Sequence, residues 1–237
     1  MAIFDAIPSQ PGTSTGAASR GLDRRRFGAM VLAASVGSLV QCRPAMALPA
    51  SDEARFLDFE WVDTTRDRVV PTRLYWPAAA TQNGPVPLIV FSHGLGGSRK
   101  GYSYLGEGWS ARGVASLRIQ HVGSDETLWQ GNPIMLLDRL GGAADEREAI
   151  ERTRDVSFGL DRLLQRDSPF HTAIDRKRIV AAGHSFGANT TLILTGAQVI
   201  RDGKPLGFRD PRFTASIVIS APPFYGETDL TGGPRVG

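Results

Sequence analysis

The chain has 237 residues with the glycine, proline and apolar content of an ordinary globular protein, enough for one domain preceded by a leader. Its formal charge of +3 comes from residues 1–47, which hold five Arg and two Asp; subtracting these from 27 basic and 24 acidic residues leaves 22 of each in 48–237. A neutral domain gives no reason to expect nucleic acid or an anionic membrane as a partner. The single cysteine, Cys42, lies in the leader and excludes an intrachain disulfide.

The leader has the ordered parts of a twin-arginine (Tat) export signal. Arginines occupy positions 24–26, a mildly apolar run follows at 29–40, and Ala45-Met46-Ala47 forms an A-x-A cleavage site. The apolar run spans about 18 Å as a helix, which is too short for a stable membrane anchor. Residues 1–22 have a disordered composition. We therefore expect export to the periplasm or the medium.

Two alternatives to this signal remain. Residues 1–47 could be a basic, disordered N-terminus beside an ordinary buried helix. Cys42 could carry a lipid, although Leu39-Val40-Gln41 is a poor lipobox.

The first part of the mature chain predicts three strands. Residues 56–62 and 72–76 alternate apolar and polar side chains, which indicates an antiparallel pair at a sheet edge. Residues 81–85 predict a loop. Residues 87–92 are continuously apolar, which is typical of a strand buried on both faces of a parallel sheet.

The middle of the chain predicts a helix over 102–112, a strand over 114–119 and a charged amphipathic helix over 145–165. Residues 123–143 have no clear periodicity and are expected to form a loop over the site. Four apolar residues of this loop are candidate pocket residues: Trp129, Ile134, Met135 and Leu136. The apolar face of the amphipathic helix consists of Ile150, Val156, Leu160, Leu163 and Leu164.

The last part predicts a strand over 178–182, a helix from 188 to about Val199, and a strand over 213–220. Strands that alternate with helices indicate an α/β class, with a mostly parallel sheet, flanking helices and right-handed crossovers. We therefore expect one α/β domain over 48–237.

The pentapeptide GHSFG at 183–187 lies between a predicted strand and a predicted helix, which is the pattern of a nucleophile elbow. Gly183 and Gly187 provide the small side chains that a tight turn needs, and His184 fills the variable position. The turn would leave the Ser185 hydroxyl at a helix N-terminus, where the dipole favours developing negative charge. Ser185 is therefore the predicted nucleophile.

The sequence HGLGG at 93–97 directly follows the buried strand. Gly94 and Gly96 allow the backbone to turn so that the N–H of Leu95 faces a substrate oxygen. The N–H of Phe186 would be the second donor of an oxyanion hole. His93 starts this turn and is expected to hold it by hydrogen bonds.

Residues 91–96 and 183–187 together resemble the two motifs of the Ser-dependent α/β-hydrolases related to dienelactone hydrolases and platelet-activating-factor acetylhydrolases, and 69–77 is similar to their second strand. The resemblance covers about 56–222. It implies an α/β-hydrolase fold and hydrolysis of small-molecule or lipid-like carboxylic esters through an acyl-serine, without a cofactor. Dienelactone hydrolases proper use cysteine, so Ser185 favours acyl esters over lactones.

The order of the triad in this fold places the acid and the histidine after the nucleophile, but no histidine follows Ser185. Asp229 is a weak candidate for the acid. His121 is interpreted as a neutral surface imidazole or a pocket residue, and His171 as a loop residue. No spacing of histidines, cysteines or carboxylates suggests a metal.

Two interpretations follow. In the first, the chain is the front part of an esterase whose last strands and catalytic histidine are missing, so that the chain alone is inactive. In the second, the chain is an exported, non-catalytic binding protein or a decayed enzyme that keeps the pocket. The oligomeric state is left open.

The Tat interpretation makes a direct prediction. We expect the exported protein to begin at Leu48, because signal peptidase cleaves after the A-x-A site that ends at Ala47. N-terminal sequencing of the native protein tests this, and a protein that begins at Met1 would contradict it.

Overall fold

A computed structural model describes residues 56–78, 84–201 and 204–223. These residues form a six-stranded sheet and a separate two-stranded hairpin. The strands are β1 (Leu57–Asp63), β2 (Arg68–Tyr75), β3 (Val86–Ser92), β4 (Ala115–Ile119), β5 (Ile174–His184), β6 (Val199–Arg201), β7 (Lys204–Leu206) and β8 (Ala215–Ile219). The α-helices are α1 (Ser103–Ser110), α2 (Leu136–Ala143), α3 (Glu146–Leu164) and α4 (Phe186–Thr195).

The large sheet has the order β1-β2-β4-β3-β5-β8. Strand β2 pairs antiparallel with both β1 and β4, whereas β4, β3, β5 and β8 run parallel. The predicted edge pair and the mostly parallel α/β sheet are confirmed. Ser92 at the end of β3 is in register with Ile119 of β4 and with Gly183 of β5. The loops that follow these strands therefore emerge at one edge of the sheet.

Alternate side chains of β3 enter two different cores. Leu88 and Val90 pack with Leu160 of α3 and Leu194 of α4, whereas Phe91 packs on the other face with Trp109 of α1. Successive side chains of a strand point to opposite faces, so a strand between two helical layers must be apolar throughout. The continuous apolar run in β3 is therefore explained by its central position.

The structure corrects the predicted end of the helix after Ser185. Helix α4 ends at Thr195, not near Val199, because Gly196 takes a φ of +128° that closes the helix. The next residues pair as the hairpin β6–β7, which the sequence analysis did not predict.

Residues 123–143 are also more ordered than predicted. They contain 3₁₀ turns at Glu126–Trp129 and Pro133–Met135 and the helix α2. Asn132 accepts a hydrogen bond from the N–H of Ile134 and starts the second turn. Gly141 and Gly142 in α2 reduce helix propensity, which is why the sequence pattern did not predict this helix.

Strand β8 is an exposed apolar edge within the described residues. It pairs only with β5 there, and its side chains Ile217 and Val218 are 37% and 40% exposed. Unpaired edges of this kind favour association between chains.

We therefore expect the purified chain to self-associate, and Val218→Lys to reduce this because a lysine at a strand edge opposes pairing with a second edge. Light scattering against concentration measures the effect. Leu137→Lys is the matched control, since it adds the same charge at an 80% exposed site on α2. Equal self-association of the two variants would contradict the role of this edge.

Candidate active site

Ser185 lies in a sharp turn between β5 and α4. Its backbone has φ 54° and ψ −122°, a region that non-glycine residues rarely adopt and that stores strain. The turn is held by hydrogen bonds from the Ser185 N–H to the carbonyl of Ile219 at 2.9 Å and from the Ala188 N–H to the carbonyl of Ser185 at 2.8 Å. The strand–turn–helix context predicted for the GHSFG sequence is present.

The two glycines of this turn have no room for a side chain. A Cβ on Gly183 would lie 2.1 Å from the carbonyl oxygen of Gly187. A Cβ on Gly187 would lie 2.1 Å from the carbonyl oxygen of Ser92 and 2.7 Å from that of His93. The glycines therefore let the first turn of α4 contact the end of β3 directly.

The loop at 93–97 lies beside Ser185. The position of a Cβ on Gly94 is only 3.2 Å from the Ser185 Cβ. Gly96 takes a φ of +71°, donates its N–H to the carbonyl of Ser124 at 2.9 Å, and accepts the indole N–H of Trp129 at 2.7 Å. Leu95 is half-buried between these fixed positions. The structure thus brings Leu95, Phe186 and Ser185 into one region at the end of β3 and β5.

His93 and His184 both bind neighbouring loops. His93 is buried; its Nδ1 lies 2.7 Å from the Gly94 carbonyl, and its Nε2 accepts the His121 N–H at 3.1 Å. Burial and the nearby Arg152 guanidinium hold the pKa of His93 well below its ordinary value, so the ring is neutral with its proton on Nδ1. His184 contacts the Tyr102 hydroxyl through Nδ1 at 2.7 Å.

The interpretation of His121 as a surface or pocket imidazole is wrong. Its side chain is fully buried, with Nδ1 3.1 Å from Asp155 and Nε2 3.2 Å from the Ser92 hydroxyl. The order of contacts is that of a Ser-His-Asp triad, but no substrate reaches a group of zero exposure. Burial lowers the pKa of His121 well below its ordinary value. This group therefore joins β3, β4 and α3 in the interior.

Asp155 also binds two arginines, one from the β1–β2 turn and one from the start of β2. Arg68 donates to its carboxylate at 2.9 and 3.0 Å, and Arg66 donates at 2.9 Å. Burial raises the pKa of Asp155, and these guanidinium groups oppose the shift. Asp155 thus connects α3 both to His121 and to these two arginines.

Arg152 is a buried residue near the site that the sequence analysis did not single out. It lies on α3, its side chain is fully buried, and it donates hydrogen bonds to the His93 carbonyl, the Ser124 hydroxyl and the Thr190 hydroxyl. Its guanidinium also lies 4.7 Å from the centre of the Phe186 ring. The sequence does contain a signal for its burial. Arg152 precedes the apolar-face residue Val156 by four residues, so it occupies the same face of the helix.

The remaining predicted site residues are not assembled around Ser185. Asp229 lies outside the described residues. His171 contacts the Leu164 carbonyl at 2.8 Å in a loop. Within the described part of the chain, the Ser185 hydroxyl makes no hydrogen bond to a base.

The apolar residues of 123–143 do not line an enclosed pocket. Trp129 lies over Gly96 and is 57% exposed, Ile134 is 85% exposed and Met135 is 48% exposed, while Leu136 is half-buried. A separate cavity of about 750 Å³ lies beside the β1–β2 turn and α3. Its lining includes Arg66, Arg68, Arg147, Glu148 and Glu151 but not Ser185.

In residues 56–78, 84–201 and 204–223, no group of three or more His, Cys, Asp or Glu side chains is arranged to hold a metal ion. Over the same residues, no helix is both long and apolar enough to cross a membrane.

Comparison with known proteins supports the fold. The sequence profile of the family "Platelet-activating factor acetylhydrolase, isoform II" matches residues 67–127, which include the 93–97 loop but end before Ser185. No curated protein sequence matches the chain. A ferulic acid esterase from Streptomyces cinnamoneus is 22% identical and superposes with a TM-score of 0.53, over 78% of this chain and 64% of the esterase.

Two further structures are similar at lower scores. The acylaminoacyl peptidase of Pyrococcus horikoshii is 23% identical with a TM-score of 0.44, over 69% of this chain and 22% of the peptidase. The dienelactone hydrolase of Anabaena variabilis is 17% identical with a TM-score of 0.40, over 59% of this chain and 57% of the hydrolase. The chain thus spans less than two thirds of each of these proteins. Its sheet order, and the superposition on the ferulic acid esterase, define an α/β-hydrolase fold, as the sequence predicted.

The close packing at Gly187 makes a prediction about stability. We expect Gly187→Ala to lower the free energy of unfolding by about 1–3 kcal/mol, because the new methyl group must displace the backbone of Ser92 and His93. Urea unfolding measures the change. Gly141→Ala is the control: no atom lies within 4 Å of its Cβ position, so a helical alanine there keeps or slightly raises stability. Equal effects of the two substitutions would refute the packing argument.

Proposed function

We propose that the chain forms the nucleophile and oxyanion part of a serine hydrolase that acts on carboxylic esters. The observation that carries this proposal is the strained turn at Ser185, next to the glycine loop at 93–97. A strained serine between a parallel strand and a helix presents its hydroxyl at the sheet edge, and this position serves acyl transfer in the α/β-hydrolase fold. The family profile over 67–127 supports the proposal, since it contains the oxyanion loop.

The proposed reaction has two steps. A base takes the proton from the Ser185 hydroxyl as its oxygen attacks the ester carbonyl, and the N–H groups of Leu95 and Phe186 bind the resulting oxyanion. The carbon–oxygen bond to the alcohol then breaks, the alcohol leaves with the proton, and an acyl-serine remains. Water attacks this ester in the same way and releases the carboxylic acid.

The proposed reaction needs a general base at Ser185. No histidine follows Ser185 in the sequence, and the described residues provide no hydrogen-bond partner for its hydroxyl. An unassisted serine is a poor nucleophile near neutral pH, so hydrolysis requires a general base beside Ser185. The same observation supports the second candidate function, an exported protein that binds ester-like molecules without hydrolysing them.

The intact mass of the native protein separates these two functions. A mass well above that of residues 48–237 would reveal additional residues, in which the acid and the histidine should be found. A mass equal to that of residues 48–237 would favour the binding protein.

We also propose that the protein is exported by the Tat pathway and acts on a small-molecule or lipid-like ester. The arginines at 24–26 and the Ala45–Ala47 cleavage site support export. The exposed Trp129 beside the oxyanion loop supports a substrate with an apolar group.

The decisive test uses the native protein and short-chain p-nitrophenyl esters. We expect Ser185→Ala to lower kcat by at least about 10³-fold, because no other group can form the acyl intermediate. Ser216→Ala, an exposed serine on β8, serves as the control and should retain wild-type activity. Hydrolysis that survives Ser185→Ala would move the nucleophile to another residue.

A further inference from the structure

Arg152 is a buried cation whose direct partners are all neutral. It donates to the Thr190 hydroxyl at 3.2 Å, to the Ser124 hydroxyl at 2.7 Å and to the His93 carbonyl. No ion pair found in the described residues includes Arg152, and the contact to Glu148 runs indirectly through the Ser124 hydroxyl. Burial lowers its pKa to about 9, which leaves the guanidinium charged at neutral pH.

A buried guanidinium without a paired carboxylate is costly, because its desolvation is offset only by hydrogen bonds. In some proteins a buried charged group of this kind is kept because it specifies one conformation. The three acceptors of Arg152 lie on three different segments: two of them carry the proposed oxyanion donors Leu95 and Phe186, and the third, at Ser124, supports the 93–97 loop.

The contacts of Arg152 connect it directly to the segments that carry the proposed oxyanion hole. The His93 carbonyl lies two residues before Leu95, so its bond to Arg152 fixes the start of the oxyanion loop. Thr190 lies in the first turns of α4, and the ring of Phe186 packs against the guanidinium from the same helix. Ser124 provides a third support, because its carbonyl accepts the Gly96 N–H at 2.9 Å.

We propose that Arg152 is the positioning residue of the oxyanion hole. It holds the loop at 93–97 against the start of α4 so that the Leu95 and Phe186 N–H groups face the same point. Arg152 touches neither Ser185 nor a substrate, and it acts through His93, Ser124 and Phe186. The catalytic role of Arg152 rests on the proposed function. Its role in holding the 93–97 loop against α4 does not depend on that function.

The experiment compares Arg152→Gln and Arg152→Lys with the wild-type protein by residue-resolved amide hydrogen exchange. The informative amides are Gly96, which donates to Ser124, and Gly97, which donates to the Gly94 carbonyl at 3.0 Å. In both variants we expect these amides to exchange at least tenfold faster, while the amides that join β1 and β2 stay within twofold. The amide chemical shifts of Leu95 and Phe186 should change in the same spectra.

Arg118→Gln is the matched control. Arg118 is 1% exposed and donates to the Gly101 carbonyl at 2.7 Å, but it packs on Phe91, on the opposite face of the sheet from the α3 core. Its replacement should leave the exchange of Gly96 and Gly97 within twofold of the wild type. Arg152→Lys keeps the charge and the aliphatic part of the side chain. If Arg152→Gln does not fold, the exchange of Gly96 and Gly97 in Arg152→Lys tests the positioning role.

Ester hydrolysis by the native protein gives the catalytic readout. We expect Arg152→Lys to lower kcat by about 10–100-fold with KM within threefold, because the hole binds the transition state more strongly than the substrate. Wild-type protein without esterase activity would refute the proposed function, and the exchange data would still decide the positioning role. Unchanged exchange at Gly96 and Gly97, or equal acceleration throughout the sheet, would overturn the role of Arg152.

Discussion

The contact between the first turn of α4 and the end of β3 is the constraint on which the rest of the site depends. Gly187 lies against the carbonyls of Ser92 and His93 with no space for a methyl group, and Gly183 lies equally close to the carbonyl of Gly187. This approach forces Ser185 into a backbone conformation that an L-residue rarely adopts. It also brings the loop at 93–97 next to the serine, so Ser185 and this loop are positioned by the same close packing.

A strained turn persists only where the surrounding structure determines it, and here much of that support is polar. Arg152 reaches the His93 carbonyl and Thr190, while His121 and Asp155 connect β3 and β4 to α3. Buried polar groups must find partners, and in this layer the partners of α3 are groups at the ends of β3 and β4 and in α4.

The apolar residues near Ser185 are more exposed to solvent than the sequence analysis predicted. Trp129 borders the loop at 93–97 with half its surface exposed, and the cavity of about 750 Å³ lies beside charged residues of β2 and α3. The described residues therefore bring Ser185 and the 93–97 loop together but place no hydrogen-bonded base at the Ser185 hydroxyl.

The sequence by itself determined the α/β class, the antiparallel edge pair, the buried strand β3 and the turn around Ser185. These features follow from local patterns: continuous apolar runs for central strands, alternation for an edge pair, and glycines wherever a side chain has no space. The sequence placed Arg152 on the apolar face of its helix, but it could not show which groups Arg152 and His121 contact in the interior, because residues distant in the chain supply those partners. Those partners, Asp155 and Ser92 for His121 and the His93 carbonyl for Arg152, meet only after α3 packs on the sheet. Tertiary structure alone therefore decided which polar residues surround the site.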